Sequence, residues 1–158
     1  MKISPTFIDY LMSEAIAEAK VSGADRESPI GAVIARDELI IARAGNRVES
    51  QQDPTAHAEL IAIQKASKSS DNWRLDSCII AVTLEPCTMC YGAISLARIP
   101  VVIFGASDNK IGALGSRYDL SLSDDNNRRI IRGIKERECA ALLSEFFTLI
   151  RNKSNGTK

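Results

Sequence analysis

The sequence predicts a three-layer α/β/α sandwich, one mixed sheet of about five strands with helices on both faces. Two observations carry that prediction. Short apolar, β-branched runs alternate with stretches whose apolar residues return every three or four positions, as strands alternating with amphipathic helices do. The chain of 158 residues, 45% hydrophobic and 25% charged, has the size and composition of one domain with a substantial core.

Phe7, Leu11, Ala15 and Ala19, with Ile8, Met12 and Ile16 beside them, mark a first helix ending near Gly23. Ile30 to Ala35 and Glu38 to Ala42 read as two strands joined tightly around Arg36-Asp37. Asp53-Pro54-Thr55 opens a second helix through about Ser67, with Asp as N-cap and Pro in the first turn. Cys78 to Leu84 is a third strand, Cys87 to Ala97 a helix weakened by Gly92, and Val101 to Gly105 a fourth strand. Arg129 to Ile134 is a candidate fifth strand, and Glu136 to Arg151 a last helix with Leu142, Leu143, Phe146, Phe147 and Ile150 on its apolar side. A polar tail follows from about residue 152. Asp108 to Arg128 is long and irregular, the kind of segment that often carries function.

No apolar run approaches the length that crosses a bilayer, and MKISPTFIDYLMSEA mixes charge into its apolar residues, unlike a secretion signal. A cytoplasmic protein with no membrane partner is expected, and its four cysteines then point to metal or thiol chemistry rather than disulfides. Basic and acidic side chains number 20 each, so net charge selects no partner. Residues 110–158 hold 10 basic against 6 acidic side chains, which suits a polyanion, although ordinary scatter of surface charge also gives such an offset.

The sole histidine sits in Thr55-Ala56-His57-Ala58-Glu59, and thirty residues on comes Glu85-Pro86-Cys87-Thr88-Met89-Cys90. Either fragment alone is weak. Together they offer one imidazole and two thiolates, a set that zinc takes tetrahedrally at roughly 2.0–2.3 Å, leaving a fourth position for water. Cys87 and Cys90 lie three apart on one helical turn, and both ligand groups open helices, where the dipole favours negative charge. Glu59, two residues beyond His57, points elsewhere around its helix and suits a proton carrier beside the water rather than a ligand. The order His-x-Glu with Pro-Cys-x-x-Cys is the general signature of zinc deaminases. A purely structural zinc site usually has four protein ligands, and Cys78 and Cys139 read as buried small hydrophobes. A zinc-stabilised binding module is a further reading, against which Glu59 counts.

Several segments resemble the cytidine deaminase superfamily: Pro29–Val33, Gly45-Asn46-Arg47, Asp53–Glu59, Val82–Cys90 and Gly92-Ala93-Ile94. Phe104–Ser116 and Glu138–Phe147 resemble, more narrowly, its bacterial tRNA-specific adenosine deaminases. Ser107, Ile111 and Leu114 depart from the residues usual there. The resemblance implies a cytidine deaminase-like fold, a homodimer with one zinc per subunit and no nucleotide cofactor, and hydrolytic deamination of the wobble adenosine of a tRNA anticodon arm to inosine. It implies Asn46 as a contact to the nucleoside, with Pro29, Ala58 and Pro86 in the pocket. It places Asp108, Lys110 and Phe147 near the flanking nucleotides, although a solvated loop and core packing are alternatives for them. Arg151 and Lys153 are candidate RNA contacts, with Lys110, Arg117, Arg128, Arg129 and Arg132 as other basic candidates. A free-base or nucleoside deaminase of guanine or cytosine type would share His57, Glu59, Cys87 and Cys90.

Overall fold

The computed structural model describes residues 1–123 and 127–156. Helix α1 (Pro5–Ala24) starts where the Ser4 hydroxyl accepts the Phe7 N–H at 3.1 Å, with Pro5 in the first turn, where its missing N–H costs nothing. Strands β1 (Gly31–Arg36) and β2 (Leu39–Gly45) form a hairpin in which Arg36 pairs with Leu39. The tight turn is therefore Asp37-Glu38, one residue later than expected. Both residues have positive φ, 49° and 63°, as the two-residue turn that follows strand twist requires.

A short helix α2 (Val48–Gln51), unforeseen, precedes α3 (Ala58–Ser69). The second helix thus opens at Ala58 and not at Asp53. Asp53 does act as a cap, but of its own turn, accepting the Thr55 N–H at 2.8 Å and hydroxyl at 2.7 Å. His57 takes the N-cap place of α3. Strand β3 (Cys78–Leu84), helix α4 (Thr88–Leu96, with Cys87 at its N-cap) and strand β4 (Val101–Ala106) follow as the sequence predicts.

A 3-10 turn at Leu120–Ser123 breaks the long segment, whose residues 124–126 lie outside the described residues. Strand β5 spans only Arg129–Ile131, because Gly133 at φ 76° turns the backbone out of extension before the expected end at Ile134. Helix α5 (Glu136–Asn155) runs past Arg151, so the expected tail is helical through Asn155, and Thr157 and Lys158 lie outside the described residues.

The sheet has order β2-β1-β3-β4-β5, with β1 antiparallel to both neighbours and β3, β4 and β5 parallel. Side chains alternate across it. Ala32, Ile34, Ile80, Val82, Val102 and Phe104 pack against Ala58, Ala62 and Ala66 of α3 and Tyr91 and Ile94 of α4. Val33, Ala35, Ala81 and Ile103 pack against Leu11, Met12, Ala15 and Ile16 of α1 and Cys139 of α5. This is the three-layer sandwich expected. Its register matters for function. Gly45 pairs with Gly31, Val82 with Ala32, and Ala106 with Leu84, so β2, β3 and β4 all end at one edge, where β1 begins. Chains leaving that edge enter α3 and α4.

Candidate active site

His57 and Cys87 occupy the two N-cap positions at this edge, with Cys90 one turn into α4. Their ligand atoms lie within 4.8 Å of one another, and they could hold a metal ion. His57 Nδ1 is 3.8 Å from Cys87 Sγ and 3.5 Å from Cys90 Sγ. A tetrahedron with zinc–nitrogen and zinc–sulfur bonds of about 2.1 and 2.3 Å has edges of roughly 3.6 Å, so the spacing fits zinc. His57 is half-buried, Cys87 nearly buried and Cys90 fully buried. Thiolates so placed draw support from the helix N-termini.

The thiols share one charge. A hydrogen bond from Cys90, outweighing burial, lowers Cys87 to about 4. The same contact, with burial and the Glu59 charge, drives Cys90 far above an ordinary thiol. The Cys87 thiolate raises His57 against its burial. Glu59 is 4% exposed, and burial lifts its carboxyl to about 7, against the pull of its own backbone N–H and of His57. A carboxyl poised there exchanges a proton readily near neutrality.

Beside these residues lies a cavity of about 40 Å³ lined by His57, Glu59, Cys87, Asn46, Asp108 and Ile111, among others. It adjoins a larger hollow of about 490 Å³ that Asn46, His57, Asp108 and Ile111 also line, together with Lys110 and Phe147. The structure therefore brings Glu59, Asn46, Asp108, Lys110 and Phe147 to the three sulfur and nitrogen donors. Phe147 is 47% exposed at the mouth, which removes core packing as its role. Pro29, Ala58 and Pro86, expected in the pocket, are buried and line neither the cavity nor the hollow, and the Pro86 carbonyl accepts the Ala113 N–H at 2.9 Å.

Arg151 and Lys153 are not brought to the hollow. Arg151 is exposed with its guanidinium near Thr148, and Lys153 borders a separate groove with Arg26, Phe146 and Leu149. Arg128 leaves the basic candidates, because it is buried. Its guanidinium donates to the Ile99 carbonyl at 2.5 Å and the Tyr91 hydroxyl at 3.2 Å. Arg132 donates to the Leu114 carbonyl at 3.0 Å and so braces the loop.

Two buried carboxylates escaped the sequence. Glu85, 2% exposed, accepts N–H groups from Asp108 at 3.0 Å, Leu114 at 2.8 Å and Ser116 at 3.2 Å, as well as the Ser116 hydroxyl. It fastens the loop that carries Asp108 and Lys110. Glu27, fully buried, accepts from the Asn46 amide and from two backbone N–H groups of α2. Glu85 stood beside the Pro-Cys signature, a hint that it served the site; nothing marked Glu27.

A sequence profile of the cytidine and deoxycytidylate deaminase zinc-binding region matches residues 5–106. The chain belongs to this family. The zinc deaminase fold is thus matched with a His-Cys-Cys cluster of the right spacing. Among curated relatives, the tRNA-specific adenosine deaminase of Bacillus subtilis (strain 168) is 42% identical over 152 residues, 95% of this chain and 94% of its own. That of Streptococcus pyogenes serotype M1 is 42% identical over 151 residues, 94% of this chain and 88% of its own. A chain solved in structural studies of A-to-I editing by tRNA:A34 deaminases at the wobble position of transfer RNA superposes with TM-score 0.79. It is 39% identical and covers 85% of this chain and 99% of its own. A guanine deaminase from Bacillus subtilis superposes with TM-score 0.61, 42% identical, over 63% of this chain and 64% of its own. Among the described residues no helix is long and apolar enough to cross a membrane.

Proposed function

We propose that this deaminase is a zinc-dependent hydrolase that converts the wobble adenosine of a tRNA anticodon to inosine, releasing ammonia. The observation that carries this reading is the extent of the likeness to the tRNA-specific enzymes, about 95% of the chain. It runs past the zinc-binding region shared across the family, through the 108–116 loop and α5. Those are the elements that build the outer hollow around Lys110 and Phe147. An exposed aromatic and a lysine at the mouth of a recess that leads to His57 suit a single-stranded loop, whose bases stack on aromatic faces and whose phosphates seek cations.

In this reading residues 1–158 form one deaminase domain and act in the cytoplasm, with His57, Cys87 and Cys90 holding one zinc per chain. When bound, zinc supplies Lewis-acid activation of water. Glu59 takes the proton from the attacking water and delivers protons to the ring nitrogen and the departing amine. Asn46 orients the nucleoside in the inner cavity, and buried Pro29, Ala58 and Pro86 support its walls from behind. Asp108 spends Oδ1 on the N–H groups of Lys110 and Ile111, at 2.9 and 3.3 Å, so it holds its loop while Lys110 and Phe147 meet the flanking nucleotides. Arg151 and Lys153, on the last turns of α5, would reach RNA only beyond the flipped base. A homodimer is part of the proposal. It is supported by an exposed apolar groove between α3 and α4 that includes Ile63, Trp73 and Leu96.

The likeness to a guanine deaminase supports a second reading, a free-base deaminase using the same zinc site. The test is inosine formation by the zinc-loaded protein on an anticodon stem-loop with adenosine at the wobble position, beside free guanine, cytosine, adenosine and cytidine. Turnover of the stem-loop alone is expected. Turnover of guanine without the stem-loop would install the second reading.

A further inference from the structure

Glu27 lies in the loop between α1 and β1 and is fully buried, yet it touches neither the zinc-ligating cluster nor solvent. Its Oε2 accepts from Asn46 Nδ2 at 3.2 Å and the Glu49 N–H at 3.1 Å, and its Oε1 accepts the Ser50 N–H at 2.7 Å. Burial pushes its carboxyl up, but the Ser50 and Glu49 N–H groups and nearby Arg47 bring it below the usual carboxylate value. It is therefore ionised near neutrality and can only accept.

That fact decides the orientation of its neighbour. A carboxamide has two ends of nearly the same shape, one a donor and one an acceptor, and only the partners say which way it points. Against an ionised carboxylate, only the NH2 end of Asn46 is tolerated. Asn46 lines both the inner cavity and the outer hollow. Its backbone is pinned as well, with its N–H donating to the Ile30 carbonyl at 3.0 Å and its carbonyl accepting the Ser22 hydroxyl at 3.3 Å. The side chain has one orientation left, with Nδ2 turned to Glu27.

We infer that Glu27 is a positioning residue that locks the Asn46 amide in one orientation, with one Nδ2 proton spent on Glu27 and with Oδ1 and the second Nδ2 proton held at fixed places for the substrate nucleoside. The inference rests on reading the cavity as the nucleoside site. It makes Glu27 a determinant of specificity, because a flipped Asn46 amide would exchange the donor and the acceptor that the substrate meets. Because the lock is a charge on one partner and an amide on the other, removing the charge should release it. Glu27→Gln keeps an acceptor for the N–H groups of α2 but presents a donor as well, so either orientation of the Asn46 amide finds a partner.

The experiment compares wild type with Glu27→Gln and Asn46→Asp, each checked for zinc content and thermal transition. Wild type is assayed first on the stem-loop and on guanine, so failure of the proposed function shows there, and the variants are then scored on whichever substrate is turned over. Asn46→Asp sets two carboxylates against each other and should lose roughly 100-fold or more in kcat/KM, as expected when a buried charge contact is made repulsive. Glu27→Gln, which admits either orientation of the amide, should lose about tenfold in kcat/KM with zinc content unchanged. A folded, zinc-replete Glu27→Gln variant with wild-type kcat/KM and an unchanged Asn46 Nδ2 NMR signal would overturn the inference, because the amide would then be oriented without the charge. If Glu27→Gln does not fold, NMR of the wild-type side-chain amides decides. One Asn46 Nδ2 proton should be shifted downfield and protected from exchange, and a freely averaging signal would overturn the lock.

Discussion

At Glu59 one side chain combines two properties that rarely coexist. It is buried as deeply as a core residue and it carries a carboxyl, which burial lifts to about 7. A surface glutamate would be ionised and hydrated, and a fully apolar residue could move no proton. Its place one residue past Ala58 in the first turn of α3, with His57 at the N-cap, keeps it beside the ligand cluster but directed into the inner cavity. Glu59→Gln keeps that shape and removes the exchangeable proton. Zinc content should be unchanged and inosine formation should fall by about 10²–10⁴-fold, the usual worth of a general acid–base group. Metal analysis beside the turnover assay checks both halves, and loss of zinc would mean that Glu59 supports the metal site itself.

The elements around the site are arranged by contacts distant in sequence, and the 108–116 loop shows how. Glu85 at the end of β3 fastens it, and Gly112 lies so close that an added Cβ would fall 2.4 Å from the Asp108 carbonyl oxygen and 2.6 Å from the Glu85 carboxyl carbon. Backbone cannot retreat as a side-chain tip can. Gly112→Ala should therefore shift the loop, costing about 1–3 kcal/mol of stability and lowering kcat/KM on the stem-loop more than tenfold, with zinc retained. Thermal melting and metal content separate this from a damaged zinc site, and wild-type turnover would show that loop position is immaterial. The same contacts explain what the sequence could convey. His57, Cys87 and Cys90 were legible because their spacing within each turn is local. The three layers were legible because burial imprints periods on strands and helices. Glu27 and Glu85 were not, since their partners lie 19 to 31 residues away, and a lone carboxylate in sequence looks like any solvated one. Asp53 misplaced the start of α3 because an Asx turn and a helix N-cap use the same residue in the same way. The end of β5 turns on the positive φ of Gly133, and a glycine in sequence is as compatible with extended backbone as with a turn.

Across the whole molecule the metal site joins the two elements that leave the shared sheet edge, so binding of the ion and stability of the fold are coupled. In the free chain near pH 7, Cys87 is already a thiolate at about 4, held there chiefly by the Cys90 hydrogen bond. Cys90 keeps its proton, pushed up first by that same contact, and the Cys87 thiolate raises His57 toward imidazolium. Zinc takes two thiolates and a neutral imidazole, so both of those protons must leave. Raised pKa values in the free state mean that protons compete with the metal, and the competition weakens as pH rises. Apparent zinc affinity should therefore climb by about 10–100-fold per pH unit from pH 6 to 7, for one to two protons released. Titration against a chelator of known protonation gives the affinities, and calorimetry in buffers of different ionisation enthalpy counts the protons. Removing zinc should abolish turnover and lower the thermal transition, with readdition restoring both, because a ligand that binds only the folded chain stabilises it. An affinity that is flat with pH would mean that the cluster awaits the ion already deprotonated, and the shared proton between Cys87 and Cys90 would have to be given up.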